Sequence, residues 1–180
     1  MVIETVVTTL NPDGTVNCGA MGVEWGAERI VIKPFRGTRT LRNLRATGAA
    51  VVNLTDDILL FSQAALGDPQ PPTHPAAGIE GAVLDDACSW REVRVEEIDD
   101  SGQRARVDTV VVGAGAGREF VGLNRARHAV LEASILASRV HLLDAGEIRA
   151  ELDRLQVLVD KTGGPREHDA MSYVRAAIED

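Results

Sequence analysis

The hydrophobic pattern of this chain changes period once, and that change limits what the chain can fold into. Through Val112 the apolar residues are largely β-branched, tend to alternate with polar ones and are broken by turn signals. From Asn124 onward they recur at three- and four-residue spacing. Strand-like segments therefore come first and helices last, with no regular strand–helix–strand alternation. That order predicts an α+β fold built on an antiparallel barrel or half-barrel.

The segments can be placed individually. Val2–Leu10 reads as a strand, Asn11-Pro12-Asp13-Gly14 as a turn, and residues 15–23 as a second strand. Gly19 and Gly22 inside that strand mark a bulge or the close approach of another group. Trp25-Gly26-Ala27-Glu28 is the next turn and residues 29–33 the third strand. Thr38 as N-cap, Leu41 and Leu44 as apolar stripe and Gly48 at the C′ position define a helix over Arg39–Thr47. A strand over Ala49–Leu54 and a short helix over Ile58–Leu66 follow. The stretch GDPQPPTHPAAG holds four of the seven prolines and is expected to be an exposed loop. Residues 89–98 and 104–112 form a hairpin around Asp99-Asp100-Ser101-Gly102.

In the helical part, Ala129, Val130, Ala133, Ile135, Leu136 and Val140 make one buried helix. Asp144 to Glu147 has a capping-box pattern, and Ile148, Leu152, Leu155 and Val159 stripe a second helix that stops at Gly163-Gly164-Pro165. Residues 169–178 form the last. The expected organisation is a core over residues 1–120 with a helical region over 121–180 packed on the same domain.

The chain is acidic, with 27 Asp+Glu against 19 Lys+Arg and a formal net charge of -8. Against that background residues 33–45 read KPFRGTRTLRNLR, carrying Lys33, Arg36, Arg39, Arg42 and Arg45 and no acid. General nucleic-acid binding is not expected, because it rests on neutralising phosphates over a broad basic surface. A signal peptide and a membrane span are not expected either, since MVIETVV has no basic leader and no apolar run approaches about 20 residues. Cys18 and Cys88 lie far apart without a CxxC, which points to reduced thiols and a cytoplasmic protein.

The basic island has two readings. Arginines three apart on a short helix can be a solvated face with Thr38 as a plain cap. Alternatively Lys33, Arg36, Thr38 and Thr40 meet at a helix start, where charge, hydroxyls and free N–H groups together suit a phosphate. The small residues of Asp13 to Gly22 also read two ways. They form a bulged edge strand, or a surface on which a flat ring can lie and bond to backbone N–H and C=O groups.

Taken together, Asp13-Gly14, Asn17-Cys18-Gly19-Ala20-Met21-Gly22, KPFRGTRTLRNL from Lys33 to Leu44, Gly48 and Val51-Val52-Asn53-Leu54 resemble the FMN-binding split-barrel proteins. The chain is similar in particular to an uncharacterised flavin-reductase-like family of methanogens and methylotrophs, which Asn124-Arg125-Ala126 and residues 132–139 also resemble. The resemblance implies an antiparallel FMN-binding split β-barrel with a helical C-terminal region, bound FMN and a homodimer. Carried over by position, Lys33, Arg36, Thr38 and Thr40 become phosphate residues, and Asn17, Cys18, Gly19 and Met21 ring-side residues. Ala20 departs from the pattern, standing where proline is frequent. Asn124, Arg125 and His128 are weaker, substrate-proximal candidates; a surface histidine is the plainer reading of the last.

Other features carry less. Gly113 and Gly115 after a strand suggest a dinucleotide fingerprint, but Arg118 occupies the third glycine position and the following region is helical; a linker or a mobile glycine loop fits better. His74, His128, His141 and His168 show no metal-ligand spacing, so no metal is expected. No catalytic side chain can be assigned, which suits chemistry borne by a cofactor. The function expected is an FMN-dependent oxidoreductase moving electrons from a nicotinamide donor to a small molecule, pterin-like if the family association holds. A flavin-binding carrier or accessory protein without turnover of its own and a flavin-free module that recognises a phosphorylated partner are the alternatives.

Overall fold

The structure, a computed structural model, describes residues 1–179. Its elements are β1 (Val2–Leu10), β2 (Val16–Trp25), β3 (Arg29–Ile32), α1 (Arg39–Thr47), β4 (Ala49–Leu54), α2 (Ile58–Leu66), β5 (Thr73–Pro75), β6 (Ala82–Leu84), β7 (Ser89–Asp99), β8 (Arg106–Ala116), α3 (Arg125–Ala137), α4 (Ala145–Thr162) and α5 (Pro165–Ala176). They fall into two compact units. One is Met1–Thr55 with Pro69–Glu119, the other Asp56–Asp68 with the chain from Phe120 onward.

Six strands of the first unit close into an antiparallel barrel in the order β1-β2-β3-β8-β7-β4. Because side chains alternate along a strand, every second residue points inward. Val7, Val23, Ile30, Ile32, Val93 and Val107 are all fully buried there. Leu41 and Leu44 of α1 join the same core. Each such aliphatic side chain contributes about 1.5–3 kcal/mol when removed from water. The α1 helix is held at both ends. The Thr38 hydroxyl accepts from the Leu41 N–H, and Gly48, at φ 65°, donates its N–H to the Leu44 carbonyl. A side chain at position 48 would be strained in that left-handed conformation.

The barrel is split on one side. β1 and β2 pair continuously from Val2↔Glu24 to Leu10↔Val16. β2 and β3 pair only at Val23↔Ile32, Glu24↔Val31 and Trp25↔Ile30. Pro34 has no N–H to extend that ladder, and the chain leaves toward α1. Among the described residues, residues 16–22 of β2 therefore have β1 on one edge and no strand on the other. Gly19 and Gly22 sit in this unbroken register without a bulge, so close approach is the reading that holds.

Four expectations change, three of them here and the fourth, at Val140, in the helical unit. Gly113 and Gly115 are neither linker nor mobile loop, because β8 continues through Ala116 and pairs Gly113 with Glu92 and Gly115 with Trp90. A Cβ on Gly115 would lie 2.1 Å from the Trp90 ring, and one on Gly113 2.9 Å from the Glu92 carboxylate. Those absent side chains are what seat Trp90 and Glu92. The proline-rich stretch is not all loop either: β5 pairs with β6, and the buried Glu92 accepts from the N–H groups of Ala77 (3.0 Å) and Gly78 (2.6 Å). Finally, the last helix starts at Pro165 rather than near Asp169. Proline is favourable in a first helical turn, and Glu167 reaches back to the Gly164 N–H at 2.9 Å.

The second unit gathers α2, α3, α4 and α5 around Ala129, Val130, Ile148, Leu152, Met171 and Val174, all buried. Ser134 and Ser62 bond to each other at 2.9 Å inside it. The α3 helix ends at Ala137, so Val140 falls in the following turn and is exposed.

Candidate functional site

The open edge of β2 and the start of α1 lie together. The side chain of Asn17 donates from Nδ2 to Thr9 Oγ1 and to Thr40 Oγ1, each at 3.1 Å. Asn43 adds bonds from its own Nδ2 to Thr9 Oγ1 (3.0 Å) and Asn11 Oδ1 (2.9 Å). Gly19 faces the same way, since a Cβ there would meet Thr40 Oγ1 at 2.8 Å and Met21 Cε at 2.9 Å. Asn17, Gly19, Met21 and Thr40 are thus brought together, and the missing side chain of Gly19 lets α1 approach the strand. By alternation Cys18 points to the opposite face of β2, where it is buried.

The five cations of the basic island meet different fates. Lys33 is ion-paired with Glu24, and Arg106 lies 3.6 Å from the same carboxylate. The Lys33 hydrogen bond and the two neighbouring charges hold Glu24 below the ordinary carboxylate range. Arg42 donates to the Gly37 carbonyl at 2.6 Å, and Arg45 is paired with Asp100. Arg39 lies near Asp13, whose carboxyl is lowered mainly by hydrogen bonds from the Thr15 hydroxyl and N–H, with the Arg39 charge adding to them. Arg36 is exposed and has no ion pair or hydrogen bond among the described residues. Thr38 donates its hydroxyl hydrogen to the Phe35 carbonyl at 2.8 Å while capping α1.

Two arrangements here escaped sequence reasoning. The Arg104 guanidinium stacks 3.9 Å above the Phe35 ring centroid, joined by a backbone bridge between the two residues. Only strand pairing brings them together. In the helical unit Arg127 bonds Glu167 Oε1 at 2.9 Å and Asp56 Oδ2 at 2.7 Å, with both carboxylates buried. The signal for this was weak, an arginine with an i, i+3 spacing from Asn124.

The weaker candidates lie in that helical unit. Asn124 is the α3 N-cap, accepting from Ala126 N (2.8 Å) and Arg127 N (3.2 Å) and donating to the Thr162 carbonyl at 3.0 Å. Arg125 and His128 are exposed on the first turn of α3. Among the described residues no cluster of three or more His, Cys, Asp or Glu could hold a metal, and no helix is long and apolar enough to cross a membrane.

A six-stranded antiparallel barrel, split where a capped helix meets a small-residue strand, is the fold of the FMN-binding split-barrel proteins. Residues 3–117 match the N-terminal domain, and residues 124–176 a second part, of a family described as protein of unknown function DUF447. The chain belongs to that family. The FMN-bound DUF447 protein MM1853 from Methanosarcina mazei is 25% identical, with a TM-score of 0.87 over 98% of this chain and 94% of that one. Two enzymes share the fold at lower identity. The 2-nitrobenzoate 2-nitroreductase NbaA of Pseudomonas fluorescens is 22% identical, with a TM-score of 0.56 over 64% of each chain. The styrene monooxygenase flavin reductase of Pseudomonas putida S12 is 19% identical, at 0.54 over 63% of this chain and 79% of that one.

Proposed function

We propose that this protein binds FMN at the split between β2 and α1 and works as a flavin-dependent oxidoreductase, taking electrons from a nicotinamide donor for a small-molecule acceptor. The observation that carries the reading is the open edge of residues 16–22 lying against the start of α1, in a chain aligned almost end to end with an FMN-bound relative. The residues fit the group. Alternate N–H and C=O groups of residues 16–22 have no strand to bond and can meet the edge of a flat, polar ring. Arg36 is a cation without a protein partner among the described residues, two residues before the Thr38 cap of α1.

In this reading Arg36 and the first-turn N–H groups of α1 hold the phosphate, and Thr38 fixes the turn that presents them. Thr40 accepts from Asn17 through its hydroxyl oxygen, which leaves its own O–H to donate to the phosphate, and Lys33 adds field strength from its pair with Glu24. Asn17, Gly19 and Met21 set the depth of the ring, while Cys18 supports the strand from behind. Bound flavin would supply hydride and electron transfer. Backbone N–H groups on the open edge would stabilise the negative charge that develops on reduction. A second copy of the chain completes the assembly, as the resemblance to homodimeric split barrels implies.

The test is a visible absorption spectrum of the purified protein titrated with FMN, followed by NADH and NADPH oxidation in its presence. A shifted, saturable flavin band and stimulated oxidation are expected. No bound flavin at micromolar protein overturns the reading, and binding without oxidation of either nucleotide moves the protein to the carrier class. Light scattering of the same sample reads the dimer.

A further inference from the structure

Arg91 is a cation on the inner face of the barrel. It pairs with Val52 of β4, a fully buried member of the core, so its side chain starts on the same inward face. Four arginines are part-buried among the described residues, and three of them are held by carboxylates: Arg118 by Asp86, Arg127 by Asp56 and Glu167, and Arg175 by Asp153. Arg91 is the fourth, and no carboxylate among the described residues pairs with it. One of its amino groups donates to the Trp90 carbonyl at 2.8 Å, and the guanidinium lies 5.2 Å from the centroid of the Trp25 ring. A carbonyl and a ring face offset only part of the cost of burying a charge, and they leave most of the guanidinium N–H donors without a protein acceptor. On the neighbouring strand β8 the paired residue is Ala114, small and exposed, so no large side chain stands opposite Arg91 there.

We propose that Arg91 anchors a binding site for a small monocarboxylic acid. The charge sets the class: one guanidinium balances one negative charge, and its planar fork matches the two oxygens of a carboxylate. The aliphatic neighbours on the inner face, Val52, Val93 and Val111, favour an apolar body behind that carboxylate. Trp25 acts through Arg91, holding the guanidinium with its ring face. Trp25 stands eight residues along β2 from Asn17, about 26 Å at the rise of an extended strand. The acid therefore uses a different cation and a different end of the strand from the turn that Arg36 and Thr38 build. The site stands whether or not flavin binds at the split.

The probe is benzoate, titrated by calorimetry into the protein with and without added FMN, beside its neutral isostere benzamide and inorganic phosphate. Benzoate is expected to bind saturably and about tenfold or more tighter than benzamide, the worth of a charge-assisted fork. Arg91→Met should abolish benzoate binding with FMN affinity unchanged, and its melting temperature should not fall, since the cation removed had no carboxylate to lose. Arg91→Lys keeps the charge without the fork and should bind benzoate more weakly than the native protein. Ala114→Glu offers a tethered carboxylate from the paired position; it should raise the melting temperature and exclude benzoate, and it decides the matter if Arg91→Met does not fold. No benzoate binding, equal binding of benzoate and benzamide, tighter binding of phosphate than of benzoate, or benzoate binding indifferent to both Arg91→Met and Ala114→Glu overturns the site. A marked fall in the melting temperature of Arg91→Met also overturns it, because the fold would already satisfy the charge. Parallel loss of FMN and benzoate in that variant assigns Arg91 to the flavin instead, and a smaller assembly by light scattering assigns it to a carboxylate of a second copy; either result overturns the acid site. If FMN fails to bind the native protein the FMN reading falls, and the benzoate titration without flavin still decides this one.

Discussion

Arg127 and Arg36 mark opposite uses of the same side chain. Arg127 lies in the helical unit with 25% of its side chain exposed, shared between Asp56 and Glu167, whose side chains are 4% and 8% exposed. Arg36 stands in solvent beside the split of the barrel with no partner among the described residues. The first charge is consumed by the fold, because two carboxylates taken out of water need a cation held in good geometry. The second costs the fold nothing and gives it nothing. Charge reserved in this way is a better mark of a ligand site than the number of cations in a sequence window.

Four measurements can break or sharpen that contrast. The largest effect is expected from Arg127→Met, which strips two buried carboxylates of their shared cation; a loss of about 3 kcal/mol in urea unfolding is expected, with FMN affinity unchanged in whatever protein remains folded. A loss under about 1 kcal/mol would put Arg127 among ordinary surface charges.

Acid should reveal the same cluster. Burial raises the Glu167 carboxyl, but the bond from Arg127, the Gly164 N–H and the Arg127 charge outweigh it and leave the group below its ordinary value. A lowered folded-state value means that the cluster's contribution is fully present above the unfolded glutamate range, about pH 4.3, and fades as pH falls through the lower folded value. Melting temperature should therefore decline across that acidic window, and Arg127→Met should flatten the decline.

At the other site Arg36→Ala should weaken FMN about tenfold, the worth of one lost charge-assisted bond to phosphate. Riboflavin, which lacks the phosphate, should be unaffected and the melting temperature unchanged. Equal losses for both ligands would mean the phosphate lies elsewhere. The smallest effects belong to Thr38→Ala and Arg45→Ala. Losing the cap should cost about 1 kcal/mol of stability, with Thr38→Ser close to native. Losing the exposed pair with Asp100 should stay within about 0.5 kcal/mol, and FMN titration should show no change for Arg45.

Local chemistry makes α1 legible in the amino-acid sequence: a threonine cap, two leucines in register and a glycine suited to positive φ fix its ends. The same holds for β1, β4 and α2, each bounded by strong turn or capping residues. What escapes a local reading is non-local. Gly113 and Gly115 look like a loop until strand pairing sets them opposite Glu92 and Trp90. Gly163-Gly164-Pro165 looks like an ending, yet the proline opens α5. The basic island announces charge but not which charges are neutralised. Glu24, Asp13 and Asp100 come from distant parts of the chain, so only the fold separates Arg36 from its neighbours.

The path of the chain through α2 has a consequence for modularity. The barrel chain breaks off after Thr55, contributes Ile58–Leu66 to the helical unit, and resumes at Pro69. The two units are therefore interleaved along the gene, although their family matches are consecutive. A shortened gene ending near residue 119 would still encode every barrel strand, but it would strand α2 without α3 and α5. The buried faces of Ile58, Leu60 and Phe61 would be left with nothing to cover them. Recombination that tries to exchange the tail alone inherits a sticky helix, so the two halves of this protein are expected to have travelled together.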